Sequence, residues 1–131
     1  MDDIKTPELH INILYEMMKV VHRSMMIHGV AYWLDGGSLL GHVRDQGIIA
    51  WDDDIDLAVP RQGFLSEKIK LVQADVCSET ILVKSLDCPE GKSYPIELEW
   101  KDPNMFKFAV LGLWVKDEKT GHITATPTID V

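Results

Sequence analysis

The chain has 131 residues, 46% of them hydrophobic and 26% charged, enough apolar material for the core of one domain and too much for a disordered segment. Its 21 acidic residues outnumber 13 basic ones, and the net charge of -8 argues against a general binder of nucleic-acid backbone. A nucleotide ligand stays open, because a metal ion can carry the positive charge. Two cysteines, Cys77 and Cys88, make neither a disulfide framework nor a four-cysteine zinc site; a single bridge between them stays open. No secretory leader is visible and no apolar run approaches membrane-spanning length, so a soluble chain is expected.

Taken in order, Thr6-Pro7-Glu8 reads as a helix start, with a capping hydroxyl, a proline at the first position and an acid in the first turn. Apolar residues at Leu9, Ile13, Leu14, Met17, Val20, Val21 and Met25 fall on one helical stripe, and Gly29 ends it, so a helix is expected over Pro7–His28. Val30–Leu34 reads as a strand running into Asp35-Gly36-Gly37-Ser38, where paired glycines let the backbone turn sharply and approach a ligand. Ser38 is then expected to cap a short helix, Leu39–Asp45, ended by Gly47. Asp54–Val59 reads as a strand stopped by Pro60. A second amphipathic helix is expected over Phe64–Ala74, a strand over Thr80–Ser85, and a loop over Asp87–Tyr94. Ile96–Trp100 and Phe106–Trp114 read as strands, Lys116–Gly121 as a hairpin turn, and Thr128–Val131 as a last strand. The order is that of an α/β or α+β domain occupying residues 1–131.

The segment Trp51-Asp52-Asp53-Asp54-Ile55-Asp56 drives four carboxylates between two apolar runs. On a strand, Asp54 and Asp56 share a face, with Cα atoms roughly 6–7 Å apart. Two carboxylates at about 6 Å repel by about 0.7 kcal/mol in water and by about 3 kcal/mol at an effective dielectric of 20. A divalent cation removes the conflict, and oxygen-only ligands favour Mg²⁺, Mn²⁺ or Ca²⁺ over zinc. A solvated acidic loop is the plain alternative. An EF-hand starting at Asp52 is excluded, because its sixth and twelfth positions are Leu57 and Gly63 rather than Gly and Glu. Upstream, the Gly-Gly-Ser turn offers N–H groups and a hydroxyl to a phosphate, and Arg44 on the same short helix can clamp phosphate oxygens. A phosphate-type turn, an arginine and a two-carboxylate strand in this order are far more specific than any one of them.

Tyr32 to Val59, "YWLDGGSLLGHVRDQGIIAWDDDIDLAV", closely resembles the signature of the LicD / fukutin family, over about a fifth of the chain. That family belongs to the nucleotidyltransferase-fold superfamily. The resemblance implies a core like that of the DNA polymerase beta catalytic domain, a mixed sheet with helices packed on it. It also implies transfer of a phospho-alcohol or phosphosugar unit, such as phosphocholine or ribitol phosphate, from a CDP-alcohol type of nucleotide-activated donor to a glycan acceptor, with Mg²⁺ or Mn²⁺ as cofactor. No nucleic-acid partner is implied. Carried over by position, Asp54 and Asp56 are the metal-binding Asp-x-Asp, and Gly36, Gly37, Ser38 and Arg44 hold donor phosphates. Asp52 matches an acidic position close by and is read as an outer-shell ligand among the substrate-binding residues. Thr128-Ile129-Asp130-Val131 resembles the start of the family's later strand, which would make Asp130 a third catalytic and metal-binding acid. Asp130 or Asp52 is the expected base for the acceptor hydroxyl. Family members continue well past that strand, so a truncated or minimal version is expected. The location implied is the cytoplasm, or the secretory-pathway lumen for a fragment of a larger enzyme.

Two other readings stand beside this one: a regulatory domain that keeps the fold without activity, and an enzyme that moves a nucleotide monophosphate to a hydroxyl. His42, two residues from Arg44, reads as a surface histidine, since helical residues two apart do not share a face. His10, His22 and His28 lack a metal-ligand pattern, Trp51 reads as packing beneath the acidic strand, and Asp35 as a brace for the turn. Lys107 and Lys116, on late strands, could reach a phosphate, but nothing specific in the sequence supports it.

Overall fold

A computed structural model describes residues 8–48, 54–110, 114–116, 123–125 and 127–131. Helix α1 (Glu8–His28) buries Ile13, Leu14, Met17, Val21 and Met25, the stripe set by the 3.6-residue period. Its end is a Schellman turn: Gly29 adopts φ 69°, and the Val30 N–H donates to the Met25 carbonyl at 2.9 Å. That use of Val30 shortens the expected strand, and β1 is only Trp33–Leu34. Helix α2 (Gly36–Asp45) starts three residues before the expected Leu39, and Gln46 rather than Gly47 takes the left-handed conformation at its end, with φ 59°.

Strand β2 (Asp54–Ala58) alternates as expected, with Ile55 and Leu57 in the core and Asp54, Asp56 and Ala58 partly exposed. The helix expected over Phe64–Ala74 is two pieces, α3 (Arg61–Phe64) and α4 (Glu67–Cys77). Ser66 breaks them apart: its backbone is extended at the N-cap position of α4, and its hydroxyl donates to the Gly63 carbonyl at 2.7 Å. Phe64, freed from α4, stacks on Phe106 with ring centroids 5.8 Å apart.

Strands β3 (Thr80–Val83), β4 (Lys92–Lys101) and β5 (Phe106–Val110) follow. β4 begins inside the expected loop, because Gly91, at φ 92°, turns the chain and Lys92–Pro95 pair with β3. β5 is described to Val110, residues 111–113 of the expected strand lie outside the described residues, and Trp114–Lys116 is strand β6, antiparallel to β7 (Ile123–Ala125) in a second sheet. These are the two arms of the expected hairpin, whose turn lies outside the described residues. β8 (Thr128–Asp130) is the last strand. The main sheet has the order β1-β2-β8-β5-β4-β3; β2 and β8 are parallel and the other neighbours antiparallel. This is a mixed sheet with helices packed on it. Helices α1 and α4 pack on each other and on the sheet face that carries Ile55, Leu57, Phe106, Phe108, Val110 and Ile129. Alternation sends Asp54, Asp56, Lys107, Thr128 and Asp130 to the opposite face. Cys77 and Cys88 are both free thiols. Among the described residues no helix is long and apolar enough to cross a membrane.

Candidate functional site

Register builds the site. Asp56 lies opposite Asp130 across β2 and β8, and Asp130 lies opposite Lys107 across β8 and β5, so the three side chains form one row. Asp54 stands one pleat away on β2, opposite Thr128. One carboxylate oxygen from each of Asp54, Asp56 and Asp130 lies within 4.8 Å of the other two. Oxygen ligands about 2.0–2.1 Å from Mg²⁺ or about 2.3–2.6 Å from Ca²⁺ span at most about 4–5 Å across the ion. The three acids therefore fit a hard divalent cation with small side-chain adjustment. Two unit charges separated by 4.8 Å repel by about 3 kcal/mol at an effective dielectric of 20. Asp130 is the most enclosed member, its side chain 12% exposed. Its Oδ1 accepts the Thr128 hydroxyl at 2.8 Å, and the Lys107 ammonium stands 3.8 Å from its Oδ2.

Helix α2 is fastened to this face by the turn that precedes it. The Asp35 N–H donates to the Asp56 carbonyl at 3.0 Å, and the Asp56 N–H donates to Ser38 Oγ at 2.8 Å. Ser38 therefore sits inside the first turn and serves the edge of β2; it is not the N-cap. Asp35 holds the cap position, without a side-chain capping bond. Gly36 brings the backbone close to the Asp56 carboxylate. Its φ is 52°, and a Cβ there would stand 3.3 Å from Asp56 Oδ2. Gly37 follows it inside α2.

Arg44 lies in the last turn of α2. It lies eight residues beyond Gly36, about 12 Å along the helix, and its Nε and Nη2 donate to Asp45 at 3.0 and 3.3 Å. That pairing raises the guanidinium pKa above its already high ordinary value. Asp45 is the sequence neighbour that competes for Arg44. Asp52 and Trp51 lie outside the described residues.

Beside Asp54, a cleft of about 230 Å³ runs between α1 and α2, walled by Tyr15, Met18, Leu34 and Ile48, with Ser38 and His42 along one side. The Tyr15 hydroxyl accepts the Ile48 N–H at 3.2 Å and so closes one end. His42 is exposed, as the surface reading has it, and it also borders this cleft, which that reading did not foresee. The signal was its distance from Ser38, four residues and one helical face, rather than from Arg44. Lys107 carried a weaker signal: between Phe106 and Phe108, alternation directs it away from the core.

Comparison with known proteins bears on what such a site serves. The profile of the family described as LicD/FKTN/FKRP, nucleotidyltransferase domain, matches residues 29–125. An uncharacterized protein of Rickettsia prowazekii is 46% identical over 46 residues, which cover 35% of this chain and 17% of that protein. The human ribitol 5-phosphate transferase FKRP is 44% identical over 54 residues, covering 41% of this chain and 11% of its own. The lipopolysaccharide cholinephosphotransferase LicD of Haemophilus influenzae is 46% identical over 35 residues, covering 27% and 13%. The matched stretches thus span less than a fifth of the length of these relatives.

Proposed function

The chain belongs to the LicD/FKTN/FKRP nucleotidyltransferase-domain family, and from that premise we propose that it transfers a phospho-alcohol or phosphosugar unit from a nucleotide-activated donor of the CDP-alcohol type to a glycan acceptor. Its relatives include a ribitol 5-phosphate transferase and a cholinephosphotransferase, so the common class is phospho-alcohol transfer. In this reading the sheet and α2 are a nucleotidyltransferase-type core of the DNA polymerase beta kind. The observation that carries the proposal is the convergence of Asp54, Asp56 and Asp130 from two parallel strands to within 4.8 Å.

Asp54, Asp56 and Asp130 would hold Mg²⁺ or Mn²⁺. Such an ion, when bound, neutralises the donor's pyrophosphate and the charge that grows on the leaving nucleotide. The chain's own contribution is placement. Ser38 and Asp35 pin the backbone of Asp56 on both its N–H and its C=O. Gly36 lets the helix start come within contact of the Asp56 carboxylate. The Gly36 and Gly37 N–H groups at the start of α2 would be the ones offered to anionic oxygens of the donor. In the transfer the acceptor hydroxyl oxygen bonds to the phosphorus of the transferred unit. The bond from that phosphorus to the bridging oxygen breaks, and the nucleoside monophosphate leaves with the electron pair. The hydroxyl proton goes to a carboxylate base or to solvent.

The test is binding of CDP-choline and CDP-ribitol by calorimetry, with and without Mn²⁺, in the wild type and in Asp54→Asn/Asp56→Asn. Metal-dependent binding that the double variant loses is the expected result. Equal donor binding with and without metal would overturn the reading. Mass analysis of products separates a phospho-alcohol added to a glycan from a nucleotide monophosphate added to a hydroxyl.

A further inference from the structure

We propose that Lys107 is a substrate-binding residue of this site: it balances Asp130 when no metal is bound and turns to a phosphate oxygen of the donor once an ion is held. The proposal rests on the transferase reading above. Lys107 stands directly across the ladder from Asp130, in the same row as Asp56. Its neighbours Phe106 and Phe108 are buried in the core, which commits the lysine to the acidic face. The ammonium is 3.8 Å from Asp130 Oδ2, beyond hydrogen-bond length, so charge holds the pair more than a fixed bond does. The lysine side chain is 34% exposed against 12% for Asp130, which puts the cation at the open side of the carboxylates.

Charge then sets two opposite couplings. Against three carboxylates the ammonium is attracted by a net charge of about -3, and against the same three with a divalent ion by about -1. Metal binding therefore loosens the hold on Lys107 just where an anionic phosphate arrives. Lysine is suited to this, as a compact point charge on a flexible stem with three donors. Arg44, the cation that the sequence pattern offers for the role, is held by Asp45 at the far end of α2. A lysine that only neutralised Asp130 would oppose the metal and leave phosphate affinity unchanged. Lys107 in the proposed role opposes the metal and assists the phosphate.

Calorimetric titrations with MnCl₂ alone, and then with inorganic pyrophosphate at saturating Mn²⁺, distinguish the two. In Lys107→Met, Mn²⁺ affinity should rise roughly ten-fold and pyrophosphate affinity should fall roughly ten-fold. Lys107→Arg should restore most of the pyrophosphate affinity, and circular dichroism of both variants should match the wild type. Pyrophosphate affinity unchanged in Lys107→Met would overturn the assignment, and so would Mn²⁺ affinity that fails to rise. Failure of the wild type itself to bind Mn²⁺ would remove the metal site and the transferase reading with it; wild-type binding with an indifferent Lys107→Met removes only the role of Lys107.

Discussion

Gly36 and Gly37 are adjacent and identical, yet the structure predicts opposite consequences for replacing them with alanine. Gly36 has φ 52°, in the left-handed region, where an alanine costs about 1–2 kcal/mol. The new Cβ would also stand 3.3 Å from Asp56 Oδ2, so the carboxylate must give by a few tenths of an ångström. Asp56 cannot move with its backbone, because that backbone is bonded on both sides, to Ser38 Oγ and to the Asp35 N–H. Gly36→Ala should therefore lower unfolding free energy by about 1–2 kcal/mol and weaken Mn²⁺ binding as well. Gly37 lies inside α2 without a positive φ, and there alanine is the better helix former by about 0.5–1 kcal/mol. Gly37→Ala should hold or raise stability. Urea unfolding in EDTA measures the first effect and Mn²⁺ titration the second. Stability changes of the same sign and size in the two variants would refute the reasoning, since it depends on the glycines doing different things.

Asp54→Asn should abolish Mn²⁺ binding and raise the midpoint of thermal unfolding in EDTA, because it relieves repulsion among the three carboxylates; a lower midpoint without metal would count against the cluster as built. Ser38→Ala removes the acceptor of the Asp56 N–H and should cost about 1–3 kcal/mol in urea unfolding, with Ser38→Thr recovering part of it. Burial, with a smaller contribution from the charge of Glu97, pushes the Cys77 thiol above its ordinary range. Its contribution to stability is then complete below the ordinary thiol pKa and is lost as pH rises through the raised folded value. Iodoacetamide should label Cys77 slowly at neutral pH, and Cys77→Ala should flatten the alkaline loss of stability; an unchanged alkaline limb would show that the thiol does not titrate as described.

Much of this site was readable in the sequence, for local reasons. The pairing of Asp54 with Asp56 follows from a two-residue period, and the buried face of α1 from a 3.6-residue one. Asp130 came from a four-residue resemblance, since no local pattern reports which strand will lie beside β2. The pairing of Arg44 with Asp45 was not read, because a pattern that counts a cation does not subtract the acid beside it. The helix at Phe64 was misplaced because an apolar period continues through Ser66, whose competing hydroxyl bond interrupts the backbone. Lys107 and His42 needed three-dimensional neighbours, one across a strand ladder and one across a cleft.

The position of β8 has a consequence for how the molecule holds together. In the strand order β1-β2-β8-β5-β4-β3, the pair β1-β2 and the trio β5-β4-β3 meet through β8. Among the described residues Thr128, Ile129 and Asp130 form the seam between two halves of the sheet, Val131 extends it by bonding to Phe106, and Ile129 is fully buried there. The seam is expected to close late in folding, because β2 pairs with a partner more than 70 residues further along and such distant pairings are the slow ones. A cation shared by Asp54, Asp56 and Asp130 would lie across that same seam as a stitch. Its binding energy would then appear twice, as affinity for the ion and as resistance of the two halves to coming apart.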